Sequence, residues 1–139
     1  MQHHLIQSST RSWDDLFRET AQRATELGPR LVAISHASDG STGTVTLWSH
    51  PTAEGPKRWM RYWFVRSSMR PWQSLLDEAA QRAAQLAPGQ LFGLSHSSDG
   101  GDGLVAVWYW VDHDPAEQKR RRGSVAISQT TGGALSEVD

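Results

Sequence analysis

The sequence predicts an α+β fold in which two similar β-α-β-β units follow one another along the chain. The first observation is a repeat: AISHASDGSTGTVTLW at residues 33–48 returns as GLSHSSDGGDGLVAVW at 93–108. The second is an amphipathic helical pattern ahead of each phrase. The third is that each phrase contains two β-favouring runs joined by Asp and Gly, which is typical of a hairpin.

The repeat extends well beyond these two phrases. Residues 8–30 align with 67–89, and after one added residue, Gln90, residues 31–48 align with 91–108. About half of the aligned positions are identical; matched pairs include Trp13/Trp72, His36/His96 and Trp48/Trp108. The chain is therefore a tandem duplication, with too few copies for a solenoid.

Each copy contains one predicted helix. Apolar residues recur at three- and four-residue steps over 13–27 in the first copy and over 72–86 in the second. Gly-Pro at 28–29 and Pro-Gly at 88–89 end the two helices.

The starts of the two helices are less clearly marked. Ser12 is a candidate N-cap, with Asp15 completing a capping box, but it aligns with Pro71, which suits a first helical position. Either the two copies start differently, or Ser9 and Ser68 are the caps.

Strands are predicted on both sides of each helix. The runs 3–8 and 61–67 precede the helices, and the hairpins at 31–48 and 91–111 follow them. The last strand is the most apolar, LVAVWYWV in the second copy, so we place it between the other two. Each unit is then a two-layer structure, with an antiparallel sheet of order 1-3-2 and one helix on one face. A single unit of this size is marginally stable and has open edges, so we expect the two units to pack as a pseudo-dimer.

The domain organisation follows from these elements. We predict a first unit at 1–50, a linker at 51–58, a second unit at 59–113 and a mostly disordered tail at 114–139. Within the tail, SVAIS at 124–128 is a candidate extra edge strand.

The composition excludes several kinds of site. The chain has no cysteine, which excludes disulfides, thiolate metal sites and cysteine nucleophiles. The net charge of −1 gives no general attraction to nucleic acid, so we expect no nucleic-acid partner. No apolar run approaches the roughly 18 residues that a membrane span needs, and no secretory signal is visible. We therefore expect a cytoplasmic protein with no cofactor and no membrane contact.

The stretch SSTRSWDDLFRETAQRATELGPRLVAIS at 8–35 resembles the dodecin subunit pattern of strand, Ser-rich cap with an aromatic residue, helix and two strands. TELGPRLVAISHASDGSTGTVTLW at 25–48 also resembles the small domains of enterobacterial stress and biofilm proteins of the YdgH/BhsA type, which share that fold. The resemblance implies a dodecin-subunit-like fold for each unit. Dodecins stack flavin on a Trp near the start of the strand after the helix. This chain has LVA at 31–33 and LFG at 91–93 there, so flavin binding is not implied.

The Ser, His and Asp residues of the repeated phrase are a candidate hydrolase site. Neighbours on a strand point to opposite faces, however, so Ser35 and His36 diverge. Ser38 and Asp39 precede a glycine, as in a turn. We therefore predict a hairpin and no catalytic residue.

A zinc site is the other chemical alternative. His36 and His96 hold matching positions, and His50 or His113 is a candidate third ligand. No local pair has the usual ligand spacing, so we predict no metal site.

The best candidate for a binding surface is a set of aromatic and histidine residues on the strands. We assign Trp13 and Trp72 to the core instead, because they begin the helical stripes. The candidate surface comprises Trp48, Trp63, Trp108, Trp110, His36 and His96. Such rings are buried in a core or a subunit interface, or they form an exposed platform for a planar ligand.

We predict a non-enzymatic module that self-associates or binds a partner protein through this surface. The alternative is a small-molecule-binding protein that stacks a planar ligand on the same residues. A small hydrolase or metalloenzyme is the least supported possibility.

Overall fold

A computed structural model describes residues 1–117 and 136–137, and it confirms the predicted α+β fold. The first unit comprises β1 (Gln2–Ser8), α1 (Trp13–Leu27), β2 (Leu31–Asp39) and β3 (Thr42–Ser49). The second unit comprises β4 (Trp59–Ser67), α2 (Trp72–Ala84), β5 (Leu91–Asp99) and β6 (Asp102–Val111). A short 3-10 helix, Gly28–Arg30, follows α1, and a two-residue strand, β7, spans Ser136–Glu137.

The strands form two antiparallel sheets with the predicted order. Sheet A has the order β1-β3-β2, and sheet B has the order β5-β6-β4, with β7 beside β4. The last strand of each unit lies in the middle, so the 1-3-2 order is confirmed in both units. The candidate edge strand at 124–128, and most of the tail predicted to be disordered, lie outside the described residues.

The units stack in the order sheet A, α1, sheet B, α2. Helix α1 contacts β1 and β3 of its own sheet and β4 of the other, whereas α2 packs on β6. Strands β2 and β5 lie side by side where the sheets approach each other. The packing is therefore head-to-tail, unlike the two-fold pairing of a typical homodimer.

This stacking gives the two helices different environments. The core between the sheets contains Trp13 and Phe17 of α1, whereas a smaller cluster holds Leu75 and Ala79 of α2 against sheet B. The prediction that Trp13 is a core residue agrees with its burial. The same prediction for Trp72 was wrong, because α2 has a sheet on one side only and leaves this indole exposed.

Matched glycines let each helix lie close to its own sheet. A Cβ on Gly43 would lie 3.1 Å from the Trp13 ring, and one on Gly103 would lie 3.3 Å from the Trp72 ring. Both distances are short for carbon contacts, so the repeated Gly provides room for the repeated Trp.

The helices start at equivalent positions but are capped differently. Ser12 is the N-cap of α1, and its hydroxyl accepts a hydrogen bond from the Asp15 backbone N–H at 3.1 Å. Pro71 holds the N-cap position of α2 and makes no side-chain cap. The alternative caps Ser9 and Ser68 are therefore not used. Helix α2 ends at Ala84, before the apolar pattern does.

We expect Ser12→Ala to lower the free energy of unfolding by about 1 kcal/mol, because it removes the N-cap acceptor of α1. Ser9→Ala is the matched control and should have no measurable effect. Urea unfolding followed by tryptophan fluorescence measures both changes. A Ser9 effect as large as that of Ser12 would contradict this assignment of the cap.

Within the described residues, no helix is long and apolar enough to cross a membrane.

Candidate functional site

The two copies of the repeated phrase bond to each other. The first copy spans β2 and β3 and the second spans β5 and β6; the edge strands β2 and β5 meet between the sheets. Side chains alternate between the faces of a strand, so half of each phrase points to the junction. On β2 this half contains His36 and Ser38, and on β5 it contains Ser95, Ser97 and Asp99.

His36 is buried at the centre of this junction. Its Nδ1 lies 2.7 Å from Ser97 Oγ, and its Nε2 lies 2.7 Å from Ser95 Oγ. Ser95 Oγ also accepts a hydrogen bond from the Trp108 indole N–H at 2.9 Å. The edge of the Phe17 ring packs against the imidazole, with 5.2 Å between ring centres.

The surroundings of His36 favour its neutral form. Burial lowers the pKa of His36 from 6.5 to about 4, and the charge of nearby His96 acts in the same direction. A neutral imidazole has one donor and one acceptor nitrogen, and a serine hydroxyl can match either. The two serines of β5 therefore satisfy the ring without a charge.

Asp99 forms a second polar connection between the units. It accepts hydrogen bonds from the Trp13 indole N–H at 2.8 Å and from the Ser38 hydroxyl at 3.0 Å. Arg66 Nη2 lies 3.0 Å from the same carboxylate. The hydrogen bond from Trp13, aided by Ser38 and Arg66, lowers the pKa of Asp99 and keeps it charged. One carboxylate thus ties α1, β2 and β4 to β5.

Helix α1 and sheet B also meet through aromatic side chains. Phe17 makes edge contacts with the rings of Tyr62, Phe64 and Trp108, at 5.8, 5.4 and 5.1 Å between ring centres. The Tyr62 hydroxyl donates a hydrogen bond to the Asp14 carboxylate at 2.5 Å. Burial, together with this bond, raises the pKa of Tyr62, so the hydroxyl remains a donor.

This geometry does not form a hydrolase triad. Ser35 is exposed, whereas its neighbour His36 is buried on the other face of β2. Both nitrogens of His36 are bonded to hydroxyls, so neither is oriented by a carboxylate as in a triad. A pKa of about 4 also makes the imidazole a weak base near neutral pH. The junction is suited to joining two units.

The histidines of the candidate zinc site are not assembled. His36 uses both ring nitrogens in the junction, whereas His96 is exposed and packs against the Trp72 ring at 5.5 Å. Within residues 1–117 and 136–137, no group of three or more His, Asp or Glu side chains is placed to hold a metal ion.

The four tryptophans of the candidate surface do not share one face. Trp63 is buried on the α2 side of sheet B, with the Arg82 guanidinium over its ring, whereas Trp108 and Trp110 are buried on the opposite side. Trp48 lies on sheet A, on the face away from α1, and is exposed. Alternation along the strands and division between two sheets separate these rings.

The sequence did not predict two groups of residues that the structure brings to the candidate site or to the surface. The first is the junction partners Ser95, Ser97 and Asp99, which alternation within the repeated phrase could have revealed. The second is an exposed apolar face of the second unit. No sequence signal shows that face directly, because the same residue types are buried in the first unit.

The arrangement therefore joins two units through polar and aromatic contacts and leaves apolar surface at both ends of the stack. Comparisons with protein-family models, with curated proteins and with solved structures found no match for this chain.

Proposed function

We propose that this protein is a non-enzymatic association module that binds protein surface, including its own, through the outer face of its second unit. We call this the α2 face; it comprises Trp72, Leu76, Leu91, Leu94 and His96. The strand residues of the set lie on the side of sheet B that α2 covers, since Leu91, Leu94 and His96 pair with Tyr109, Val107 and Val105.

One observation carries the proposal: the α2 face is exposed although its counterparts in the first unit are buried. Trp72 is 40% exposed and Trp13 is 6% exposed. The corresponding values are 41% for Leu76 against 0% for Phe17, and 50% for Leu94 against 8% for Ile34. Exposed apolar patches of this kind mark interaction surfaces.

The geometry gives less support to the alternatives. A planar ligand would need an open aromatic platform, but Trp63, Trp108 and Trp110 are covered and only Trp48 of the four is exposed. A hydrolase would need an accessible base, and His36 is buried with a lowered pKa. We also propose, from the sequence, that each unit has a dodecin-subunit-like ancestry and that the protein is cytoplasmic.

We expect the protein to associate in a concentration-dependent way, and Leu76→Glu to weaken this association about a hundredfold or more, because it buries a charge in the contact. Sedimentation velocity over a dilution series measures this. Gln81→Glu is the matched control, because Gln81 lies on the same helix and its equivalent, Gln22, is exposed in the first unit. A wild-type chain that stays monomeric, or association that Leu76→Glu leaves intact, would overturn the proposal.

A further inference from the structure

We propose that the α2 face of one copy docks on the outer face of sheet A of a second copy. This contact would repeat, between chains, the head-to-tail junction that joins the two units within a chain. The inference rests on the proposed function, since it names the surface that the α2 face binds.

The apolar part of the internal junction has counterparts at both ends of the stack. Within the chain, Phe17 of α1 packs against Trp108 of sheet B. In the repeat, Leu76 takes the place of Phe17, and Trp48 takes the place of Trp108. Trp48 is 40% exposed, and nearby Leu5 on the same outer face is 55% exposed. The two ends therefore offer a counterpart of this contact between rings, on an outer face of sheet A that is otherwise more polar, with Thr44 and Thr46.

The histidine bridge of the junction is also repeated at the free ends. Within the chain, His36 bonds to Ser95. Their counterparts are His96 on the α2 face and Ser35 on the outer face of sheet A, and both are exposed. Inside the chain, the first copy supplies the histidine and the second copy supplies the serine. Between two chains, the second copy would supply the histidine and the first copy would supply the serine.

The indole–carboxylate bond has the same kind of counterpart. Within the chain, the Trp13 indole N–H donates to the Asp99 carboxylate. The repeat supplies Trp72 as a donor on the α2 face and Asp39 as an acceptor on sheet A, and both are exposed. One apolar pair and two polar pairs of the internal junction thus have counterparts on the two outer faces. Their presence together favours a second copy of this chain over an unrelated protein as the partner of the α2 face.

The contact between chains would be weaker than the internal junction. Ala37 stands where Ser97 bonds to the imidazole, and His3 stands where Tyr62 donates to a carboxylate. The internal junction also benefits from the high effective concentration that a covalent linker provides. We therefore expect reversible association.

The symmetry of this association follows from the position of the two faces. They are different surfaces at opposite ends of one stack, so the contact is heterologous. Each added copy exposes a new free face, and the assembly grows as a chain or closes into a ring.

A complementation experiment tests the docking directly. Leu76→Glu removes the α2 face and keeps sheet A, whereas Trp48→Glu removes the sheet A face and keeps the α2 face. Both positions are exposed, and thermal unfolding of each variant checks its fold. Leu5→Glu replaces Trp48→Glu if the substitution on the central strand unfolds the protein.

We expect each variant alone to remain monomeric in sedimentation velocity, and an equal mixture to form a dimer that does not grow further. Gln81→Glu should assemble as the wild type does. If Trp48→Glu and Leu5→Glu each associate as strongly as the wild type, docking on sheet A is overturned while the proposed function of the α2 face stands. If the two variants do not dimerise when mixed, head-to-tail docking is likewise overturned. If wild type never associates, the proposed function fails as well.

Discussion

Phe17→Ala should lower the free energy of unfolding by about 3–5 kcal/mol, the range for removing a large aromatic side chain from a core. Phe17 is fully buried, and its ring touches Tyr62, Phe64 and Trp108 across the junction. The cavity would open between the two units, where an aromatic cluster has little freedom to close it. Urea unfolding followed by tryptophan fluorescence gives the value.

The repeat supplies a matched control for this prediction. Leu76 occupies the equivalent position in α2 and is partly exposed, so Leu76→Ala should cost about 1 kcal/mol or less in a dilute, monomeric sample. Phe17→Leu, which copies the second unit, should fall between the two. Equal costs for the Phe17 and Leu76 truncations would mean that the two helices are equally covered, contrary to the stacking described above.

Lowering the pH from about 6.5 to about 4 should remove roughly 3 kcal/mol of stability through His36 alone. The pKa of His36 falls from 6.5 to about 4 on folding, mainly because the ring is buried. Between these values the unfolded chain binds a proton that the folded chain does not. The contribution is therefore complete above pH 6.5 and is lost as the pH falls through this window.

His36→Gln should abolish this part of the pH dependence, because an amide does not titrate. The variant should also be less stable than wild type at neutral pH, since it disturbs the bonds to Ser95 and Ser97. His96→Gln is the control and should keep most of the pH dependence, because burial is the largest cause of the lowered pKa of His36 and the charge of His96 is the smaller one. Asp99 also has a lowered pKa, so its contribution is lost only at more acidic pH, below the ordinary Asp range. Unchanged pH dependence in His36→Gln would contradict the neutral buried imidazole.

The fold could be predicted because each element has a strong local pattern. The helical stripes, the Gly-Pro and Pro-Gly stops and the Asp-Gly turns mark the elements, and the apolar run LVAVWYWV marks a central strand. Duplication doubled each of these signals. The strand order then followed from placing the most apolar strand between the other two, where it has a neighbour along each edge.

The relative placement of the units could not be predicted from the repeat itself. Two copies with the same apolar spacing give the same local pattern, so nothing in the helical stripe shows that α1 is enclosed and α2 is not. One signal lay in the central strands. Thr44 and Thr46 alternate with Val45 and Leu47 on β3, as in a sheet with one covered face, whereas β6 is apolar at every position from Leu104 to Val111. Sheet B is indeed covered on both sides.

The candidate site was harder to predict for a related reason. Strand alternation correctly predicted that Ser35 and His36 point to opposite faces of β2. The partners of His36 and Ser38 are some sixty positions away, however, and only the side-by-side placement of β2 and β5 brings them together. The burial of Trp108 likewise depends on the position of α1, whereas Trp63 is buried on the other face of sheet B, against α2.

The central claim is that α1 lies between the two sheets and joins them head-to-tail. Nuclear Overhauser effects from the Phe17 ring, measured on a dilute sample, test it most directly. We predict cross-peaks from the Phe17 ring to the rings of both Tyr62 and Trp108. A Phe17 ring that shows contacts to sheet A alone, with none to the second unit, would contradict it.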